Sequence, residues 1–203
     1  MDETADRELI EHCRRDRAAL HGSFRALYQR HAGRALRFLR GLTGDEERAK
    51  DALQETFLRV YAALDRYDPA QPFAPWLLGI ARNVALDQRR KEARRPADAL
   101  TPALAATCAG PSDAPPEGAA RREARALVTR AVAALPAPER EVLLLKHVEG
   151  LTFEQVAGTL GCSVRTAKYR MRAALDGLAV DLRERGLAPD PRGPGLAPAG
   201  GAA

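Results

Sequence analysis

The stretch LTFEQVAGTLGCSVRTAKYRMRAAL, residues 151–175, holds two apolar helical periods separated by a glycine. Thr152 and Gln155 have the spacing of a capping box, and the helix they open has Phe153, Val156, Ala157 and Leu160 on its inner face. Ala157 is small where another helix can cross closely, and Gly161, four residues on, suits a tight turn. Ser163 can cap a second helix whose inner stripe is Val164, Ala167, Met171 and Leu175. Outside remain Arg165, Thr166, Lys168, Tyr169 and Arg172, with Arg170 at the flank and no acid between 161 and 172. Two helices so arranged read as a helix-turn-helix, whose second helix enters the major groove of DNA. Arg and Lys there satisfy guanine acceptors or phosphates, while Tyr and Thr meet the backbone or a thymine methyl. The competing reading is an ordinary surface helix with a basic face. Cap, small residue, turn glycine and acid-free face together favour DNA. Cys162 could be a redox switch, but a small residue filling the turn is the simpler reading.

The bulk numbers agree with such a partner. The chain has 203 residues and a formal charge of +5, enough for one or two small domains and a lean toward polyanions. Its cations are mostly Arg, with Lys only at Lys50, Lys91, Lys146 and Lys168. Cys13, Cys108 and Cys162 lie far apart without a CxxC pair, so neither a disulfide framework nor a zinc site is expected. The start MDETADRELIEHCRR has no signal-like apolar run, and no stretch reaches the roughly 18 to 20 apolar residues of a membrane span. A soluble cytoplasmic protein without direct membrane insertion is expected.

Upstream, helical periodicity dominates and strand-like alternation is nearly absent. Phe24, Leu27, Tyr28, His31, Ala35, Phe38, Leu39 and Leu42 trace one amphipathic stripe, with His31 a core residue. After the break at Thr43-Gly44, acids at 45–47 open a helix expected to bury Leu53, Phe57, Val60, Tyr61 and Leu64. Within DALQETFLRVYAAL (51–64), Asp51, Gln54, Glu55 and Leu58 share a different face, suited either to solvent or to a basic partner surface with Leu58 as anchor. RYDPAQPFAP (66–75) reads as a loop bearing Tyr67 and Phe73. Pro75 then suits the first turn of a helix from Trp76 to about Lys91, with Trp76, Leu77, Ile80, Ala81 and Val84 inward. Arg82, Asn83, Arg89 and Arg90 lie outward, a second plausible nucleic-acid surface. The expected layout is all-α: a helical domain over 1–95, a flexible Ala/Pro/Gly-rich tether over 96–122, a helix-turn-helix domain over 123–185, and a disordered tail over 186–203.

DALQETFLRVYAALDRY, FAPWLLGIARNVALDQRR and LPAPEREVLLLKHVEGLTFEQVAGTLGCSVRTAKYRMRAAL, in that order, closely resemble stretches of bacterial sigma factors of the extracytoplasmic-function class, in the sigma-70 family. The resemblance implies two helical domains, region 2 and region 4, and promoter recognition as a subunit of RNA polymerase. It implies that Asp51, Gln54, Glu55 and Phe57, with Leu58, dock on the clamp helices of the largest catalytic subunit, with a further contact at the polymerase flap. It assigns the minus-ten element to the loop from Tyr67 to Phe73 and to Arg82, Asn83, Asp87, Arg89 and Arg90, where a base leaves the stack. It assigns the duplex minus-thirty-five element to Arg165, Thr166, Lys168, Tyr169, Arg170 and Arg172. An anti-sigma factor, often at the inner membrane, is a further implied partner; no cofactor, metal or small-molecule substrate is.

Departures from the family pattern bear on promoter sequence. Lys50 stands where relatives usually carry an acid, and Ala74-Pro75 replace a commonly basic and variable pair. Ala167 replaces the usual Val, Tyr169 the usual Ser, and Ala173 a frequent Arg. A stand-alone helix-turn-helix regulator is the alternative, but it leaves Asp51, Gln54 and Glu55 without a task. An enzyme is the third class. His12, His21, His31 and His147 sit apart, with no HExxH, P-loop or glycine-rich phosphate cradle.

Overall fold

The computed structural model describes residues 3–15, 20–94 and 118–185, and these are helical with no strand among them. The tether over 96–117 and the tail over 186–203 lie outside the described residues.

The first half is built on α2 (Leu20–Thr43), α3 (Glu46–Ala63) and α4 (Phe73–Ala93). In α2 the expected stripe forms the core: Leu27, His31, Ala35, Phe38 and Leu39 are all buried. Full burial of a side chain such as Phe38 or Leu39 contributes about 1.5 to 3 kcal/mol. Gly44 (φ 69°) ends that helix, and Asp45 caps α3 by accepting the Arg48 N–H at 2.8 Å. In α3 the buried row is Ala49, Ala52, Leu53, Thr56, Phe57 and Val60. Tyr61 departs from expectation at 49% exposure, because its ring leans outward edge-on to Phe24 at 5.3 Å.

The expected loop is shorter than read. A 3-10 turn spans Leu64–Arg66, and α4 already begins at Phe73, with Pro72 at its N-cap and Pro75 in its first turn. Proline at an N-terminal turn loses no intrahelical hydrogen bond, so the prolines start this helix rather than delay it. Leu77, Leu78, Ala81, Val84 and Ala85 bury its inner face.

A helix outside the sequence reading, α1 (Glu3–Arg15), covers this core with Ile10 and Cys13. Asp6 of α1 is buried and joins two residues of α2: Arg30 Nη1 at 2.8 Å and His31 Nε2 at 2.9 Å. Arg14 donates to the Leu64 carbonyl at 2.8 Å and also to that of Tyr67, tying α1 to the turn before α4.

The second half comprises α5 (Ala119–Ala134), α6 (Ala137–Leu143), a π turn (Leu144–Val148), α7 (Phe153–Leu160) and α8 (Val164–Glu184). Helix α5 thus starts a few residues inside the span expected to be tether. Leu135 and Pro136 break α5 from α6, as read from the Leu-Pro-Ala-Pro sequence. Val142, Leu145, Val156, Ala157, Leu160, Ala167, Met171 and Ala174 form its core. The inner stripe of α8 runs through Ala174 to the partly buried Leu178 rather than through Leu175, which is 47% exposed. The 3.6-residue period carries Leu175 past the contact face.

The halves also pack on each other: α7 lies against α4, and the π turn against α2. Leu144 fills the space above Gly41, where even a methyl group would stand 2.7 Å from its two terminal carbons.

Candidate nucleic-acid and docking surfaces

The local geometry of 151–175 follows from its caps. Thr152 Oγ1 accepts the Gln155 N–H at 3.2 Å, while Gln155 Oε1 accepts the Thr152 N–H at 2.9 Å. Gly161 adopts the left-handed conformation (φ 62°) that closes α7, and the Cys162 N–H reaches the Ala157 carbonyl at 3.0 Å. A side chain with Cβ is strained at that φ, so glycine sets the turn. Ser163 Oγ then accepts the Thr166 N–H at 3.0 Å and starts α8.

This turn aims the outer face of α8 at solvent. Arg165, Lys168, Tyr169 and Arg172 are exposed, Tyr169 at 74%, and Arg170 and Thr166 lie at the flanks. Thr166 Oγ1 is 2.8 Å from Ser163 Oγ, so it serves the cap as well as the face. Lys168 Nζ sits 5.7 Å from the Phe153 ring centre and Lys146 Nζ 5.2 Å from the same ring, two cations steadied over one aromatic. Arg165, Arg170 and Arg172 with Lys168, which also lies near the Glu154 carboxylate, make a predominantly basic solvent face that fits a polyanion. Cys162 is half-buried in the turn.

A second surface lies on α3. Asp51 and Gln54 are exposed, Glu55 is half-buried, and Leu58 is 66% exposed. Tyr61 follows Leu58 by one helical turn and extends the same apolar edge. Phe57 is different. It is buried, 4.7 Å ring to ring from Tyr28 and 6.2 Å from Phe24, so it supports this face from within and does not present itself to a partner. Its position follows from spacing, one residue round the helix from Leu58 toward the core.

The third surface is α4. Asn83, Arg89 and Arg90 are exposed. Asp87 accepts from Arg59 Nη1 at 2.9 Å, and this guanidinium holds the carboxyl below the ordinary range; Arg59 Nε also meets Glu55 at 2.8 Å. Asp87 therefore ties α4 to the docking helix. Tyr67 and Phe73 need correction as exposed loop groups: they are only 5% and 2% exposed. They form an aromatic cluster with Trp76, Tyr67 lying 4.7 Å and Phe73 5.7 Å from it, and Phe73 meets His31 edge-on at 5.0 Å. The Tyr67 hydroxyl donates to the Gln71 carbonyl and closes the loop. A loop rich in proline and bracketed by aromatics folds inward because those rings have nowhere else to bury. Trp76, half-buried on this cluster, is a partial core residue.

Arg82 is not free on the outer face. Its Nε lies 2.8 Å from Oε2 of Glu141 on α6, a carboxylate only 4% exposed. Arg34 of α2 donates at 2.9 Å to the Glu149 backbone carbonyl, with its Nε 2.8 Å from that residue's Oε2. Burial holds the Glu149 carboxyl above the ordinary value despite Arg37 and Arg34, and its oxygens lack well-directed hydrogen bonds. No sequence signal marks these acids, because their partners are 59 and 115 residues distant. Among the described residues, no cluster of His, Cys, Asp or Glu could hold a metal, and no helix is long and apolar enough to cross a membrane.

Comparison with known proteins adds to this geometry. The family model for sigma-70 region 2 matches residues 27–95, and that for sigma-70 region 4 matches residues 125–176. The chain is 33% identical over 171 residues to the ECF RNA polymerase sigma factor SigL of Mycobacterium tuberculosis, covering 84% of this chain and 94% of SigL. It is 35% identical over 161 residues to the RNA polymerase sigma factor CarQ of Myxococcus xanthus, covering 77% and 87%. Among solved structures, CnrH in complex with the cytosolic domain of CnrY matches with a TM-score of 0.64 at 26% identity, covering 89% of this chain and 98% of that one. The sigma factor RpoE of Bartonella quintana, solved with the anti-sigma factor NepR, has a TM-score of 0.67 at 23% identity and shares the fold, covering 79% and 96%.

Proposed function

The chain belongs to the extracytoplasmic-function class of the sigma-70 family, and from that membership we propose how its residues divide the work of promoter-directed initiation with core RNA polymerase. The observation that carries the division is the coexistence of an acid-free reading helix on α8 with a separate acidic and apolar face on α3.

Asp51, Gln54, Glu55 and Leu58 form the polymerase-docking face. The acids orient the encounter with a basic surface, and exposed Leu58 supplies an apolar anchor. Phe57 acts on this face only through packing. Arg165, Lys168, Tyr169, Arg170 and Arg172, steadied by Thr166, read the duplex minus-thirty-five element in the major groove. Asn83, Arg89, Arg90 and, once released from Glu141, Arg82 meet the minus-ten element. Tyr67, Phe73 and Trp76 form the aromatic platform beneath that surface, and Asp87 positions it through Arg59.

One domain thus reads intact duplex while the other holds strands as they separate. On this reading the chain has no catalytic role of its own, works in the cytoplasm, and is restrained by an anti-sigma partner on the α3 and α4 surfaces. The domains run over 1–95 and from α5 to 185.

The division is tested by photo-cross-linking from Asn83 and from Tyr169 in a complex with core polymerase and a forked promoter. Asn83 is expected to label the unpaired minus-ten strand and Tyr169 the upstream duplex. The reverse pattern, or DNA labelling that needs no polymerase, refutes the division and favours a stand-alone regulator.

A further inference from the structure

Along the seam where the second half packs on the first, positive side chains outnumber negative ones. A cleft there lies between the end of α2, the start of α3, the last turns of α4, and α6. Arg48 of α3, Arg89 of α4 and Arg140 of α6 line it, together with Glu92 and Glu141. The two acids are already committed. Glu92 meets Arg48 Nη1 at 3.0 Å, and Glu141 Oε2 meets Arg82 Nε at 2.8 Å. Arg89 and Arg140 make no ion pair among the described residues.

Arg140 is the more unusual of the two. It is half-buried, its Nη1 donates to the Ala133 carbonyl at 3.0 Å, and its Nε is buried without a partner. Burial first, and the neighbouring charge of Arg89 second, hold its proton affinity below the ordinary guanidinium value, with Glu141 opposing them. Like charges held together and partly dehydrated cost free energy until an anion joins them.

We propose that this cleft binds a small phosphorylated ligand, whose terminal phosphoryl group sits among Arg48, Arg89 and Arg140. Charge sets the class. Four guanidiniums, counting Arg82, face two carboxylates, so a phosphomonoester, with about two negative charges at neutral pH, balances the cluster. A single carboxylate would leave one cation unmatched. Shape agrees with charge. Planar guanidiniums grip phosphate oxygens in pairs, and here they converge on a recess from three helices. A duplex backbone instead spreads its phosphates along an open face such as that of α8. The Arg48–Glu92 pair is no obstacle. Its side chains are 52% and 43% exposed, and exposed pairs contribute little, so Arg48 can turn to an anion at small cost. Leu42, Leu86 and Gln88 complete the walls, which suits a ligand body that is apolar with a hydrogen-bonding edge. The site owes nothing to the promoter reading, since Arg89 contributes its charge whether or not it also meets DNA.

Calorimetric titration of the full chain with inorganic pyrophosphate, and separately with orthophosphate, tests the site at constant ionic strength set with chloride. Saturable binding at a single site is expected. Arg48→Ala and Arg140→Lys should each weaken it about tenfold, the loss of one charge-assisted contact, with circular dichroism unchanged. Arg48 lies at the exposed rim, so its variant decides the matter even if Arg140→Lys fails to fold. Hydrogen exchange with pyrophosphate bound should show added protection in 85–92 and 137–141. The site is overturned by binding that vanishes once ionic strength is matched, by unchanged affinity of folded Arg48→Ala, or by protection confined to 161–172. Protection of 137–141 by promoter duplex but not by pyrophosphate would overturn it too, and would make the cluster a DNA backbone contact.

Discussion

Gly41→Ala sets helix propensity against packing. Gly41 lies in the last turn of α2, and alanine there stabilises the helix by up to about 1 kcal/mol. That gain is present whether the halves are packed or apart, so it cancels from the closing equilibrium. The added methyl, however, would stand 2.7 Å from both Leu144 terminal carbons and 3.3 Å from its Cγ. Carbon atoms settle at about 3.5 to 4.0 Å, so Leu144 must retreat by about 1 Å. Leu144 is 5% exposed, and overpacking at such a site costs about 1 to 3 kcal/mol. The closed-to-open ratio should fall roughly 5- to 150-fold while the first half becomes no less stable. Hydrogen exchange resolved by peptide reads both effects at once. Residues 137–149 should lose protection, and those of α2 and α3 should keep or gain it. Unchanged protection in 137–149, with α2 more protected, would show that Leu144 re-packs within the seam and refute the close-fit argument.

Three other outcomes are expected. Leu58→Asp should weaken binding to core polymerase severalfold with unchanged helicity and melting temperature, measured by titration of labelled protein; unchanged affinity of the folded variant removes Leu58 as an anchor. Arg172→Ala should lower promoter affinity by about 1 to 3 kcal/mol if the guanidinium reads a base, whereas equal losses on promoter and random duplex make it a phosphate contact. His31 supplies a pH dependence. Burial, chiefly, lowers its proton affinity below the ordinary 6.5, against Asp6, which raises it, with Arg34 and Arg30 also lowering it. The folded chain therefore keeps His31 neutral where the unfolded chain takes a proton. Its contribution is complete above 6.5 and declines as pH falls from there toward the lowered folded value. Urea midpoints at pH 7.5 and 5 should differ more for the wild type than for His31→Gln, and equal differences would contradict this.

What was legible in the sequence was what is local. The capping box at Thr152, the left-handed turn at Gly161 and the Ser163 cap depend on residues within one turn of each other, and each appears as read. Exposure of Leu58 and Tyr169 followed from helical period alone. Errors arose where tertiary packing decides. Tyr67 and Phe73 are at positions a loop reading would expose, yet aromatic side chains near a small core find partners in it, whereas Phe57 is buried as its helical spacing predicts. Helix α1 was missed because its hydrophobic face is short, and Asp6 meets His31 only after the chain turns back. The seam was illegible for the same reason: nothing local distinguishes Glu141 or Glu149 from a solvated acid, and only distant Arg82 and Arg34 explain their burial.

Transcription with purified core polymerase on a library of random upstream sequences tests the central claim most directly. The account predicts defined start sites that appear only when this chain is added, each preceded by two common elements whose spacing is fixed. Arg172→Ala should degrade the upstream element and Asn83→Ala the downstream one. Start sites identical with and without the chain, or a single element bound equally well in the absence of polymerase, would contradict it.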